Sequence, residues 1–104
     1  MKATDIAKLY QHTPEDGARV TVRGWVRTLR DSKAFAFIEL NDGSAFRNLQ
    51  IVCDTSLPNF EAVTRITLYS AIEVQGKLVY TPDMKQPFEI KAEEVILLGA
   101  SDPD

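Results

Sequence analysis

Five segments of this 104-residue chain alternate between the two faces of an extended strand, and one segment of helical period separates the third from the fourth. A period of two sends successive side chains to opposite faces, so each of the five predicts a strand with a buried face. The segments are ARVTVRGWVRTLRDS, AFAFIEL, FRNLQIVC, SAIEVQGKLVY and FEIKAEEVILLG. The first is the longest, and Gly24 near its middle predicts a bulge or a sharp bend.

Two segments predict helices. TSLPNFEAVTRITL spaces Phe60, Val63 and Ile66 at helical intervals and predicts a helix of about three turns. TDIAKLY predicts a short N-terminal helix, with Thr4 as its N-cap and Asp5 in its first turn. Three strands, a helix and two strands is the element order of the OB-fold. We therefore predict an all-β, five-stranded Greek-key OB-fold barrel with a helix between strands 3 and 4 and a short N-terminal helix, with an SH3-like barrel as the alternative.

The sequence also indicates the cellular compartment in which we expect the protein. No apolar run approaches the roughly 20 residues that cross a bilayer, so we expect no membrane partner. The first residues lack the apolar core of a secretory signal. The single cysteine, Cys53, cannot form an internal disulfide, and its place in the apolar alternation predicts a buried, unreactive thiol. Together these features predict a cytoplasmic protein.

Charge is distributed unevenly along the chain. The net charge is −3, which argues against a strong polyanion binder. Residues 19–47, however, hold six basic and three acidic side chains, whereas the remainder holds six basic and twelve acidic ones. A basic segment on an acidic body permits local phosphate contact, and a solvated face with scattered arginines is the other interpretation.

Alternation in the second, third and fifth strands predicts which side chains face outward. The inward set is Ala36, Ile38, Leu40, Leu49, Ile51, Cys53, Phe88, Ile90 and Ala92. The outward set is Phe35, Phe37, Glu39, Asn48, Gln50, Val52, Glu89, Lys91 and Glu93. OB barrels bind single-stranded nucleic acid or oligosaccharide on the outer face around their second and third strands. The outward set therefore lies where a ligand would bind.

Each of these side-chain types suits an unpaired base. A phenyl ring stacks on any base, and arginine offers charge and a planar fork. The amide of Gln50 can pair with N3–H and O4 of uracil together, and the carboxylate of Glu89 can accept from N1–H and the amino group of guanine. We expect Phe37 to face outward and stack, the alternative being that a loop or the N-terminal helix covers it. For Phe35 we expect the covered position.

The stretch VTVRGWVRTLRDSKAFAFIELNDGS resembles the N-terminal anticodon-binding domain of class IIb aminoacyl-tRNA synthetases. LQIV, SLPNF, QGKLV and QPFEIKAEEV extend the likeness over roughly residues 15 to 104, and the combination of RDSK with NDGS resembles the bacterial-type asparaginyl-tRNA synthetases. Carried over position by position, the resemblance implies that Arg30, Phe37, Gln50 and Glu89 contact RNA. Phe37 would stack, Gln50 would read the central uridine, and Glu89 would lie near the wobble base.

The resemblance also implies an organisation. Residues 1–14 would be an N-terminal helix and turn, 15–99 the anticodon-binding barrel, and 100–104 the start of a hinge to a catalytic domain that this chain does not include. The partner would be an asparagine-type tRNA, bound at its anticodon loop. The parent enzyme would use ATP and Mg²⁺ and would dimerise through its catalytic domain. We expect no catalytic site, cofactor or metal in the 104 residues themselves.

Two other functions stay open at this point. The same domain occurs in non-discriminating aspartyl-tRNA synthetases, whose anticodon shares its first two letters with that of asparagine. A free-standing OB-fold that binds single-stranded nucleic acid or a protein is the second alternative. Neither His12, which has no partner at ligand spacing, nor Trp25, which follows the predicted bend, indicates a further site.

Overall fold

The computed structural model describes residues 3–100, and it folds the five predicted strands into one closed barrel. The strands are β1 (Arg19–Asp31), β2 (Phe35–Asn41), β3 (Leu49–Asp54), β4 (Ala71–Tyr80) and β5 (Phe88–Gly99), and the helices are α1 (Ile6–Gln11) and α2 (Phe60–Thr64). The strand order around the barrel is β1-β2-β3-β5-β4, and β1 closes it by pairing with β4. Within residues 3–100, β3 with β5 is the only parallel pair. This is the predicted OB-fold.

The barrel encloses one hydrophobic core. Each member of the predicted inward set is buried, joined by valines of β1 and by residues of β4. Ile6 and Leu9 of α1 and Val63 of α2 are buried in the same core, and Phe60 and Ile66 pack against it. No helix among residues 3–100 is long and apolar enough to cross a membrane. The predicted hinge at 100–104 falls almost entirely outside the described residues.

Gly24 lies where β1 changes partners. Residues 19–25 pair with β4, whereas β1 pairs with β2 from Trp25 onward. A Cβ atom added to Gly24 would lie 2.5 Å from the backbone oxygen of Asn41, a distance no side chain tolerates. The glycine is therefore required because two strand backbones approach closely at this position, whereas the register shift of β1 lies further along, between Val26 and Thr28.

The predicted cap of α1 is wrong. Asp5, not Thr4, is the N-cap, and its side chain makes no capping hydrogen bond. The loop between β2 and β3 supplies the caps instead, because Asp42 Oδ2 accepts from the N–H of Ile6 at 2.9 Å and Ser44 Oγ accepts from the N–H of Ala7 at 3.0 Å. A cap from a distant loop satisfies the same free N–H groups and also ties the helix to the barrel.

The capping hydrogen bonds change the pKa of the Asp42 carboxyl. Burial by itself raises the pKa of the Asp42 carboxyl, but hydrogen bonds from Ser44 and from the N–H of Ile6 outweigh it. The pKa of Asp42 consequently lies below its ordinary value. The ionised carboxylate is the form that holds α1 in place.

The second helix is shorter than predicted. It spans Phe60–Thr64 rather than about three turns. The side chain of Asp54 accepts from the N–H of Ser56, and Leu57 N–H bonds to the Asp54 carbonyl, so the segment before the helix folds as turns. Such local bonds compete with a helix for the same backbone groups. The predicted helical face is nevertheless the one that meets the core.

Candidate nucleic-acid interface

The outer face of β1, β2 and β3 carries two adjacent cross-strand rows. Arg30 pairs with Phe37, and Phe37 pairs with Val52 across β2 and β3. The next row consists of Thr28, Glu39 and Gln50, paired in the same order. Directly paired residues share a face of the sheet, so both rows lie on one surface. We call this surface the outer face and add Glu89 of the neighbouring strand β5 to it.

One end of the outer face is aromatic and cationic. The ring of Phe37 is half-buried, and the guanidinium carbon of Arg30 lies 5.7 Å from its centroid. Phe35 stacks beside it, with ring centroids 6.1 Å apart and an interplanar angle of 25°. The prediction for Phe35 is wrong, because 43% of this residue is exposed and neither a loop nor α1 covers it. Two stacked rings and a guanidinium form a platform for a planar base.

The position of Arg30 depends on a β-bulge. Val22 and Val26 face the core, so strict alternation would turn Arg30 inward as well. The register with β2 shifts between Val26 and Thr28, which makes Arg27 an extra residue. Beyond the bulge the parity is reversed, so that Leu29 packs against the core and Arg30 faces outward. A bulge re-aims the side chains that follow it.

Gln50 and Glu89 meet at the centre of the outer face. The parallel pairing of Ile51 with Ile90 brings their neighbours on β3 and β5 together. Nε2 of Gln50 donates to Oε1 of Glu89 at 3.3 Å. The four residues that the resemblance singled out therefore form two contacting pairs, Arg30 with Phe37 and Gln50 with Glu89.

Glu39, which shares a strand face with two phenylalanines, is held by an amide. Its Oε2 accepts from Nδ2 of Asn48 at 2.9 Å. Asn48 is fixed in turn, because its Oδ1 accepts from Nδ2 of Asn41 at 2.9 Å. This chain of bonds orders the loop that precedes β3. The carboxylate thus has a partner in the protein and stands next to Gln50 rather than in the core.

A polar pocket adjoins Gln50, and sequence reasoning missed most of it. It is lined by Tyr10, Glu39, Arg47, Asn48, Lys85 and Gln86 together with Gln50. The guanidinium carbon of Arg47 lies 4.5 Å from the ring centroid of Tyr10, whose hydroxyl donates to the Asn48 carbonyl at 2.9 Å. Burial raises the pKa of Tyr10, and the charge of Arg47 opposes that shift. Its residues come from four places in the chain, namely α1, β2, the start of β3 with the residues before it, and the loop between β4 and β5, so no local pattern could reveal the pocket.

Three residues that the sequence analysis considered apart from the outer face have the burial expected of them. Cys53 is buried, and burial together with the neighbouring charge of Asp54 raises its pKa to about 12, so the thiol is unreactive at neutral pH. Trp25 packs against the turn at Gly43 and remains 38% exposed. His12 is exposed at the end of α1.

The closed five-stranded barrel carries rings, a guanidinium and an amide on the outer face of its first three strands. This combination defines an OB-fold domain of the kind that binds single-stranded nucleic acid. The sequence profile of the tRNA anticodon type of OB-fold nucleic acid binding domain matches residues 20–98. This chain belongs to that family.

Known proteins are similar over the whole chain. It is 52% identical over 105 residues to the asparagine–tRNA ligase of Bacillus cereus (strain ATCC 10987 / NRS 248), a match that covers 100% of this chain and 23% of that protein. The asparagine–tRNA ligase of Acetivibrio thermocellus is 54% identical over 106 residues, with the same coverage. The chain thus spans about a quarter of the length of these curated relatives.

Solved structures share the fold. The crystal structure of asparaginyl-tRNA synthetase from Pyrococcus horikoshii complexed with asparaginyl-adenylate superposes with a TM-score of 0.84 at 19% identity. The match covers 100% of this chain and 24% of that one. At this identity the likeness establishes the shared barrel.

Proposed function

We propose that this chain is the tRNA anticodon-binding domain of an asparagine–tRNA ligase and that it holds unstacked anticodon bases on its outer face. The observation that carries the proposal is the grouping of Arg30, Phe37, Gln50 and Glu89 on one surface of a barrel whose family binds nucleic acid. Similarity over the whole of this chain to proteins named asparagine–tRNA ligase favours asparagine over the aspartyl alternative.

On this proposal, each of the four side chains has a different role in recognition. Phe37 provides a stacking surface for the central uridine, and Arg30 above the ring offers donors to a phosphate or a pyrimidine carbonyl. Gln50 reads the Watson–Crick edge of that uridine. Glu89, on the neighbouring strand β5, would accept hydrogen bonds from the wobble base, as the resemblance implies. Specificity comes from base edges, because unstacked bases expose them to side chains.

Binding by this chain is weak and sensitive to salt. The chain carries a net charge of −3, so it attracts RNA only through the local arginines and lysines. Few phosphates are neutralised, and each one that is neutralised releases counterions. Affinity for the anticodon loop therefore falls as salt rises, with a shallow slope.

The parent protein, on this proposal, is a cytoplasmic enzyme of protein biosynthesis that joins asparagine to its tRNA. It would use ATP and Mg²⁺ and would form a homodimer through its catalytic domain. Among residues 3–100, no three His, Cys, Asp or Glu side chains are grouped to hold a metal ion. On this proposal, ATP and Mg²⁺ act in the rest of the parent enzyme, as the resemblance implies, and no step of the reaction is assigned to this chain.

A titration tests the proposal. Fluorescence anisotropy would follow the 104-residue chain binding to a labelled stem-loop with an asparagine anticodon, beside a stem-loop in which cytidine replaces the central uridine. We expect about tenfold weaker binding of the cytidine loop, because it leaves polar groups unpaired. A Gln50→Leu variant should lose this preference. Equal affinity of the wild type for both loops would contradict the assignment of Gln50 as the reader.

A further inference from the structure

Gln50 lies between two carboxylates on the outer face. Glu39 is its direct cross-strand partner on β2, and Glu89 flanks it on β5. The two carboxylates are engaged differently, because Oε2 of Glu39 already accepts from Asn48 whereas Oε1 of Glu89 accepts from Gln50 itself. Glu89 is thus the group that acts directly on the Gln50 amide.

The contact fixes which way the amide points. An ionised carboxylate only accepts hydrogen bonds, so only the Nε2 end of Gln50 can bond to it. Rotating the amide by half a turn would place Oε1 of Gln50 against Oε1 of Glu89, which loses a charge-assisted hydrogen bond and sets two acceptors against each other. In the observed orientation, the Gln50 carbonyl oxygen and its second amide proton remain available to a ligand.

Uracil and cytosine require opposite orientations of that amide. Uracil presents N3–H as a donor beside a carbonyl acceptor, which matches the free carbonyl oxygen and free proton of Gln50. Cytosine presents N3 as an acceptor beside an amino donor, and it can pair with the amide only after the half-turn. An amide that rotates freely would therefore read both pyrimidines.

We propose that Glu89 is a positioning residue that locks the Gln50 amide and thereby makes the outer face select uracil over cytosine at the central position. This inference rests on the proposed function, and it gives Glu89 a role in addition to its place near the wobble base. Gln50 engages one of the two Glu89 oxygens, so the other can serve the neighbouring base.

The test compares Glu89→Gln with Glu94→Gln. Both variants remove one negative charge from β5, but Glu94 is exposed and pairs with Gln75 of β4, away from Gln50. For each protein, affinities are measured for the uridine and cytidine stem-loops, which share one wobble base. A contact between Glu89 and that base affects both affinities equally and cancels in their ratio.

We expect Glu89→Gln to reduce the uridine-to-cytidine preference by about tenfold, the effect of one hydrogen bond to a charged group, and Glu94→Gln to leave it unchanged. An unchanged preference in Glu89→Gln, even with weaker overall binding, would overturn the inference. Glu89 would then contact the wobble base without orienting the Gln50 amide.

A measurement without RNA separates the inference from the proposed function. In ¹⁵N-labelled free protein, the Gln50 side-chain amide should have one proton shifted by its bond to Glu89. The shift should become smaller in Glu89→Gln, because an uncharged carbonyl accepts a weaker hydrogen bond than a carboxylate, and should stay unchanged in Glu94→Gln. If it stays unchanged in both variants, the Glu89 carboxylate does not hold the amide, and the inference fails. If it behaves as expected but no stem-loop binds, the lock exists and the proposed function fails instead.

Discussion

Replacing Phe37 by leucine should remove base stacking while leaving the barrel intact. The ring lies on the outer face, half-buried, near the guanidinium of Arg30 and the ring of Phe35. Leucine retains apolar volume on the strand but has no π-face for a base. The change therefore separates a stacking role from a packing role. An alanine substitution would remove both the π-face and the apolar volume and could not separate them.

The two possible roles predict different magnitudes. Stacking of one base on an aromatic side chain contributes about 1–3 kcal/mol, which is about fivefold to 150-fold in the dissociation constant of the anticodon loop. The folded state loses mainly the contact with Phe35 and the cation–π contact, about 1 kcal/mol each at most. Truncating a buried ring such as Phe88 to alanine would instead cost about 3–5 kcal/mol of unfolding free energy.

Anisotropy titrations give the dissociation constant of the stem-loop, and urea unfolding of the same samples gives the free energy of unfolding. Phe37→Tyr keeps the ring and should bind like the wild type, and Phe35→Leu tests the second ring under the same conditions. A Phe37→Leu protein that binds the stem-loop as tightly as the wild type but unfolds several kcal/mol more easily would refute the reasoning. The ring would then be a packing element of the fold.

Three further predictions concern the scaffold. Gly76→Ala should lower the unfolding free energy by about 3 kcal/mol in urea denaturation, because the added Cβ would lie 2.2 Å from a backbone oxygen of β5. Gly99→Ala, which meets nothing within 4 Å, should be near neutral, and equal losses would contradict the steric argument. Cys53 should resist a disulfide reagent at pH 8 until urea unfolds the protein, because burial raises its pKa to about 12; prompt labelling of folded protein would refute this. Asp42→Asn should lower the free energy of unfolding by at most about 1 kcal/mol at pH 7, since the carboxylate is largely solvated. Folding lowers the pKa of Asp42 below its ordinary value of 3.8. The carboxylate therefore contributes its full stabilisation of the folded state at pH values above 3.8, and this contribution is lost as the pH falls through the pKa of the folded state. The variant and the wild type should therefore converge in acid, and a constant difference across pH would contradict the hydrogen bonds from Ser44 and Ile6 as its source.

Period-two alternation was sufficient for the strands and for most of the outer face. The inward set of strands 2, 3 and 5 is buried as predicted, and Phe37, Gln50 and Glu89 lie outside the core. Alternation succeeds because a one-residue error would bury charges and expose aliphatic side chains, so the register of each strand is strongly determined. That these residues bind RNA stays a prediction.

Contacts between distant segments explain where sequence reasoning failed. The caps of α1 come from Asp42 and Ser44, more than 30 residues away, and nothing near Thr4 signals this. The exposure of Phe35 was also mispredicted, because coverage by a loop depends on where that loop runs. The shortening of α2 has a local cause instead, the hydrogen bonds that Asp54 accepts.

The sequence by itself determined the five strands, their faces and the order that defines the barrel, because backbone geometry alone links a two-residue period to a buried side. Only the tertiary structure decided that Arg30 faces Phe37, since the bulge at Arg27 arises from pairing with β2 and reverses the parity of β1. It also decided that Glu89 reaches Gln50, because β3 and β5 become neighbours only when the barrel closes.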